Sequence, residues 1–299
     1  MAKTKAKVKL TREEIIFNII TCTIFSLIVL VCLFPFYYLF ICTISNAKLV
    51  DLGQITIFPI GINFDNYRKV FGIQNLLHSA KISVLRVIIG TSLTLLVSAY
   101  TAYFFTKQNM WKRKFWYRLV VVTVYFSPGL IPIYLNNRML GLVNSFWVYI
   151  VPGLVSVYNM ILIKTSIEAM PAELEESAYL DGAGYLTRFF KIVLPLQKPI
   201  LATVGLFSAV QHWNDFFTTK LYITNTSLYT LQFRLYELLN QVSAAAQQIE
   251  VSGMDSAASI TPTGIRMTLT MVIIIPIMLV YPSIQKFYVK GIMVGAVKG

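Results

Sequence analysis

The stretch "IIFNIITCTIFSLIVLVCLFPFYYLFICTI", residues 15–44, contains no charged side chain. A helix that crosses a bilayer needs ~20 mostly apolar residues, and this segment exceeds that length. Residues 87–105, 119–135, 146–163, 199–211 and 267–285 are also free of charge. Two of these, 119–135 and 199–211, are short and need their polar flanks to reach across. The chain as a whole is 56% hydrophobic and only 13% charged, about half the ~25% charge of a soluble domain, and its mean hydropathy is +0.65. The expected fold class is therefore an all-α integral membrane protein with six transmembrane helices.

The spans are expected at about 15–44, 84–105, 119–135, 146–167, 198–217 and 265–287, within a domain covering 15–288. A segment 1–14 precedes them and a tail 289–299 follows. Lys3, Lys5, Lys7, Lys9 and Arg12 ahead of the first span resemble the start of a secretory signal, but the apolar run is about twice a signal's ~7–15 residues and no A-x-A site follows it. It is read as a retained first helix.

The net charge of +13 does not point to nucleic acid, because the basic residues are not gathered on one soluble face. They cluster at 3–12, at 107–118 and at Lys286, Lys290 and Lys298. Positive flanks mark the cytoplasmic side of a membrane, and six spans with both termini inside place all three clusters there. Segments 45–81 and 218–264 then lie outside. Cys22, Cys32 and Cys42 fall in the first span without metal-type spacing, and His78 and His212 have no ligand partners in sequence. No metal site is expected.

Within the spans, Gly90, Thr94, Ser98 and Ala102 recur every four residues, a ladder that lets a neighbouring helix approach closely. "FSPGLIP" sets Pro128, Gly129 and Pro132 together. Proline removes backbone donors and breaks helices, and broken helices in a membrane need protein or a wet cavity to satisfy them. The stretch is either a kink near the outer end or part of a pathway lining. Trp213, Asn214 and Asp215 combine a flat apolar surface with hydrogen-bonding groups, the mixture that recognises a sugar ring. The alternative is a polar pin that fixes packing, since a carboxylate near the membrane costs roughly 2.5–3.5 kcal/mol unless it faces a cavity or a partner.

The stretch "AELEESAYLDGAGYLTRFFKIVLP", residues 172–195, is the exception to this oiliness. Five of the chain's thirteen acids lie between 168 and 181. Pro171 suits a helix's first turn, Glu173 and Glu175 suit its positive end, and Met170, Leu174, Ser177 and Ala178 share a face. Gly182 and Gly184 permit a sharp turn before a second helical piece that ends at Pro195. The outcome is a helix-turn-helix on the cytoplasmic surface, spanning 169–197.

Glu176, Ala178, Gly182, Ile192, Leu194 and Pro195 match in spacing the E-A-A, three residues, G, nine residues, I-x-L-P signature, with Ser177 in place of the middle alanine. The chain resembles the permease subunits of ABC importers. "HWNDFF" at 212–217 and "QKFYVKGIMVGAVKG" at the end are similar to MalG-like sugar permeases. "FSPGLIP" and "GLVNSFWVYIVPG" are similar to the branch that includes lipoprotein-linked oligosaccharide permeases of Gram-positive bacteria.

That resemblance implies six helices of the importer type and residence in the cell membrane. It implies that Glu175, Glu176, Ser177, Ala178, Asp181, Gly182, Ala183, Ile192, Leu194 and Pro195 form a coupling helix and turn that dock on a separate ATPase. Gly295, Ala296, Val297, Lys298 and Gly299 would reach the ATPase interface. Trp213, Asn214, Asp215, Pro128 and Gly129 are the substrate-path candidates.

No G-x-x-x-x-G-K-[ST] occurs, so no cofactor is expected in this chain, and ATP and magnesium are expected in the partner. The implied partners are a second homologous permease, two ATP-binding subunits, an extracellular sugar-binding lipoprotein and membrane lipid, with no nucleic acid. The expected cargo is a carbohydrate, with a non-sugar solute as the alternative. A polytopic membrane enzyme would need a cluster of acids, histidines or a nucleophile at the membrane face, and Asp215 stands alone there. An ion-driven carrier would work without an ATPase.

Overall fold

The computed structural model describes residues 11–252 and 262–296; of residues 242–252, 262, 281 and 283–296 it describes the backbone course alone. Every regular element among the described residues is helical. The chain divides into two compact units, Met1–Val70 with Asp255–Met271, and Phe71–Met254 with Val272–Gly299.

In the first unit α1 runs from Arg12 to Thr43. Its start is fixed by a capping box: Glu14 N–H donates to Thr11 Oγ1, and Thr11 N–H donates to Glu14 Oε2 at 2.7 Å. This reciprocal pair satisfies two of the donors that a helix N-terminus leaves open. Apolar residues surround the helix on all sides, and only its last three, Ile41, Cys42 and Thr43, are buried. Ile41 and Cys42 pack with Val50 of α2 (Ala47–Asp51) and with Ile55. Cys22 and Cys32 are exposed along α1, so only Cys42 is a core residue of the protein itself. A short helix, α3 (Asp65–Phe71), closes this part of the chain.

The second unit is organised on α4, Leu76–Thr106. The small-residue ladder predicted there is its packing face, because Gly90, Thr94, Ser98 and Ala102 are all buried. A Cβ added at Gly90 would lie 2.6 Å from the His212 ring, a distance no real Cβ tolerates. Glycine is what lets α11 (Lys198–Asn214) lie against α4. α7 (Val157–Glu168) packs on α4 as well. Ala99, Ala102, Tyr103 and Phe105 of α4 form one core with Met160 and Ile163 of α7 and Val204 of α11.

Among the described residues, three helices are long and apolar enough to cross a membrane, and two bent pairs would bring the number to five. The segment expected as a third span, 119–135, is not one helix. α5 (Arg113–Val122) and α6 (Leu130–Met139) are separated by residues 123–129. Pro128 disfavours helical geometry in the residue before it, and Gly129 adopts φ 84, ψ 172, a conformation only glycine enters readily. The expected kink is thus a full break.

The fourth expected span is also interrupted. Two 3₁₀ turns at Phe146–Tyr149 and Val151–Gly153 meet α7 at 49°, where Pro152 and Gly153 stand. The last helix, α14, runs from Pro262 to Ala296 with Pro276 and Pro282 inside it, continuing past the predicted boundary at 287. Between α11 and α14 lie α12 (Phe217–Tyr222) and α13 (Leu231–Ser252).

Candidate functional site

The acidic stretch folds as the helix-turn-helix its sequence predicts. α8 covers Glu173–Leu180; Pro171 lies two residues ahead of it, outside the first turn that the sequence reading gave it. Asp181 closes α8, and Gly182 turns the chain at φ +80. α9 (Tyr185–Arg188) leads without interruption through a wide π turn at Phe189–Val193 into α10 (Leu194–Leu196). The π turn has a local cause. Pro195 has no N–H to give the Lys191 carbonyl, and its ring crowds that carbonyl, so the backbone widens there.

At Gln197 the chain bends by 82° into α11. Ser166 Oγ contacts Gln197 Oε1 at 2.5 Å, and Gln197 Nε2 donates to the Ser166 carbonyl at 3.4 Å. These bonds hold the bend against α7.

No residue of α8 is buried. Glu176, Ser177, Asp181 and Gly182 are exposed, Ala178 and Ala183 are half-buried, and Leu180 is 85% exposed. Glu175 is the exception among the acids. Its Oε1 accepts from Tyr103 Oη at 2.7 Å, from Arg188 Nη1 at 3.2 Å and from Lys107 Nζ. Arg188 is itself buried, with its guanidinium 4.5 Å from the Tyr185 ring centroid and 5.2 Å from that of Tyr179. Burial would raise the Glu175 carboxyl, but the bonds from Lys107 and Tyr103 and the charges of Lys107 and Arg188 outweigh it and hold the group below the usual glutamate range.

The second half of the loop is tied down by apolar contacts. Phe189 and Val193 are buried in the core shared by α4, α7 and α11. The Phe189 ring lies 5.4 Å from both Tyr100 and Tyr103. Ile192 and Leu194 are half-buried and Pro195 is exposed. A cleft of about 410 Å³ opens beside α8, with Lys107, Glu168, Glu175, Glu176, Tyr179 and Arg188 in its wall.

Sequence reasoning missed Tyr103, Lys107, Arg188 and Phe189 as parts of this site. Lys107 belonged to a basic run that reads as an orientation signal, and nothing in local spacing links it to a carboxylate 68 positions away.

Near the other end of α4 the substrate-path candidates separate. Asp215 pairs with the buried Arg86 guanidinium, which also donates to the Asp215 carbonyl at 2.8 Å. The same carboxylate accepts from Thr218 N–H at 3.0 Å and from Thr218 Oγ1 at 2.5 Å, which starts α12. Arg86 lies 4.5 Å from the Tyr149 ring centroid, and Tyr149 Oη donates to the Leu228 carbonyl at 2.7 Å.

Trp213 is half-buried, and its Nε1–H donates to the Ile273 carbonyl at 3.2 Å, three residues before Pro276. Asn214 is the exposed member. It lines a groove of about 560 Å³ on α11 with Phe207, Gln211 and Asp215. Pro128 and Gly129 sit exposed in the break between α5 and α6. Gly295 and Ala296 close α14, and Val297, Lys298 and Gly299 lie outside the described residues.

No group of three or more metal-ligating side chains occurs among the described residues. Together these features define a polytopic helical membrane component that carries a surface helix clamped to its bundle. The chain belongs to the family of inner membrane components of binding-protein-dependent transport systems, whose model matches residues 94–294. It is 34% identical over 270 residues to the polygalacturonan/rhamnogalacturonan transport system permease protein YtcP of Bacillus subtilis (strain 168), covering 90% of this chain and 94% of that one. Protein LplC of the same organism is 34% identical over 266 residues, 89% of each chain. A chain from the crystal structure of a bacterial ABC transporter involved in the import of the acidic polysaccharide alginate superimposes with a TM-score of 0.83 at 26% identity, over 94% of this chain and all of that one. The resemblance read from the E-S-A, W-N-D and terminal motifs is borne out.

Proposed function

We propose that this chain is the membrane-spanning permease subunit of an ATP-driven importer for carbohydrate, an oligosaccharide or a fragment of a polysaccharide. It crosses the cell membrane of a Gram-positive bacterium six times with both termini in the cytoplasm, the crossing near 113–139 being a broken one. A second permease completes the pathway, a lipid-anchored receptor delivers the sugar, and two separate subunits bind and hydrolyse ATP with magnesium. This chain performs no chemistry on its cargo.

The observation that carries this reading is the contrast within 172–196. The outward side of α8 presents Glu176, Ser177 and Leu180 exposed, while Glu175, Phe189 and Val193 fasten the same segment to α4 and the bundle core. A docking element that must transmit movement needs both properties. The carbohydrate assignment rests on YtcP, whose name specifies polygalacturonan and rhamnogalacturonan, and on the alginate importer. Asn214 and Gln211, exposed polar side chains on α11 beside an otherwise apolar groove, suit contact with the hydroxyl groups of a sugar.

The test is co-purification of the membrane complex carrying Leu180→Asp or Glu176→Lys. Each variant should lose its ATPase subunit and at least tenfold of its uptake while the permease pair stays in the membrane. Full retention of both the ATPase and uptake would refute docking through α8.

A further inference from the structure

Residues 55–64, ITIFPIGINF, carry no charge and leave large apolar side chains unpacked. Phe58 is 74% exposed, Ile57 55%, Ile62 65% and Phe64 61%. A connecting loop bound for water would not ordinarily hold four such residues together, since contiguous exposed apolar surface marks an interaction site.

The loop's height along α1 is fixed by hydrogen bonds at three places. Asn46 N–H donates to the Ile60 carbonyl at 2.9 Å, and Asn63 N–H donates to the Ile44 carbonyl at 2.9 Å, so both of these points lie beside the end of α1. Between Gln54 and Ile60 the chain dips. Tyr37 Oη donates to the Ile57 carbonyl at 2.6 Å, and Tyr37 lies six residues before the helix end at Thr43, about 9 Å back along the axis at 1.5 Å per residue. Side chains on a helix tilt toward its N-terminus, which sets the tip deeper still. Ile57, Phe58 and Pro59 therefore lie level with the uncharged, aromatic-rich part of α1 that holds Phe34, Phe36, Tyr37 and Phe40.

We propose that loop 55–64 is a lipid-interface anchor: Ile57, Phe58 and Ile62 insert into the headgroup and upper acyl region of the outer leaflet beside α1. The occupant is lipid because the tip reaches back along a helix whose exposed surface is apolar on every side, and aromatic rings at that height belong to the interfacial belt. The backbone stays at a depth where water still reaches it, as an irregular loop requires. The inference rests on α1 crossing the membrane.

The test is site-directed spin labelling of the assembled transporter in lipid vesicles, with Cys22→Ser, Cys32→Ser and Cys42→Ala as background. Nitroxides are placed by Phe58→Cys and, as a reference, Val29→Cys in the middle of α1. Both labels should collide more often with dissolved oxygen than with a water-soluble nickel chelate, and Phe58→Cys should read shallower than Val29→Cys. A nickel-accessible Phe58→Cys beside a lipid-embedded Val29→Cys would overturn the anchor alone. Protection of Phe58→Cys from both reagents would show a protein partner there and overturn it equally. A nickel-accessible Val29→Cys would overturn the span and the anchor together. Should the cysteine-free background not assemble, Phe58→Trp in the native chain replaces it. Quenching of the added fluorescence by shallow-brominated lipid is then expected, and quenching by aqueous iodide instead would contradict the proposal.

Discussion

At two points along α4 a carboxylate from another element meets an arginine and a tyrosine, Asp215 with Arg86 and Tyr149 at one and Glu175 with Arg188 and Tyr103 at the other, yet the two clusters do opposite jobs. Arg86 and Tyr103 are 17 positions apart, about 25 Å at 1.5 Å per residue, close to the thickness of a bilayer's hydrocarbon. At the Arg86 end, Asp215 is held by groups of the bundle, the guanidinium and Thr218, with the Tyr149 ring against Arg86 in turn. At the Tyr103 end, Glu175 is held equally well, but the helix that bears it has no buried residue. The first cluster joins the end of α11 to α4. The second clamps a surface element to the same helix, so a force applied to α8 from outside has a polar route into the bundle through Tyr103 and an apolar one through Phe189.

The sharpest way to break the comparison is to remove the cation at the closed end. Arg86→Leu strands the Asp215 carboxylate in the protein, a change that costs about 3 kcal/mol or more. The expected result is loss of folded permease from the membrane, read as yield and apparent melting temperature of the detergent-solubilised complex. Asp215→Asn added to Arg86→Leu should restore most of the loss, because two neutral groups leave no charge unpaired. An equal loss in the double variant would mean that Arg86 acts through packing on Tyr149 instead.

A smaller effect is expected on acidifying the open end. The Glu175 carboxyl is depressed in the folded chain, so its contribution is fully present above the unfolded pKa of about 4.3 and fades as pH falls through the lower folded value. Amide hydrogen exchange in 173–180, corrected for intrinsic rates, should be level from pH 8 to 5 and rise only below about pH 4. Glu175→Gln should abolish that rise. A rise centred near pH 6 would place the titrating group elsewhere.

The smallest change expected is at Trp213. Trp213→Phe keeps the ring and forfeits one hydrogen bond to the Ile273 carbonyl, worth about 0.5–1.5 kcal/mol. Apparent melting should fall by a few degrees while uptake persists. Abolished uptake with intact assembly would return Trp213 to the substrate path.

The sequence made the two clusters unequally legible. The helix-turn-helix at the open end was readable because its parts are local: an acidic first turn, Gly182 where a positive φ is required, and Pro195 at fixed spacing. The small-residue ladder on α4 was readable for the same reason, a four-residue period. The partners of Glu175 and Asp215 were not. Lys107, Tyr103 and Arg86 stand 68, 72 and 129 positions from the carboxylates they meet, and only tertiary packing brings them there. Charge counting alone also misled at 119–135, where an uncharged run, already short for a span, contains a full break at Pro128 and Gly129. Asp215 was read with two alternatives open; it contacts Arg86 and Thr218 and, beside Asn214, also lines the groove on α11.

The central claim is that Glu175 transmits movement and Glu176 and Leu180 make contact. The measurement that tests it most directly is sugar uptake and receptor-stimulated ATP hydrolysis of the purified, vesicle-reconstituted complex carrying Glu175→Ala. The account predicts that the ATPase subunit stays bound, that hydrolysis continues, and that uptake per ATP falls at least tenfold, because the docking face is intact while its polar clamp to α4 is gone and only the apolar contact of Phe189 remains. Uptake per ATP equal to that of the native complex would contradict it.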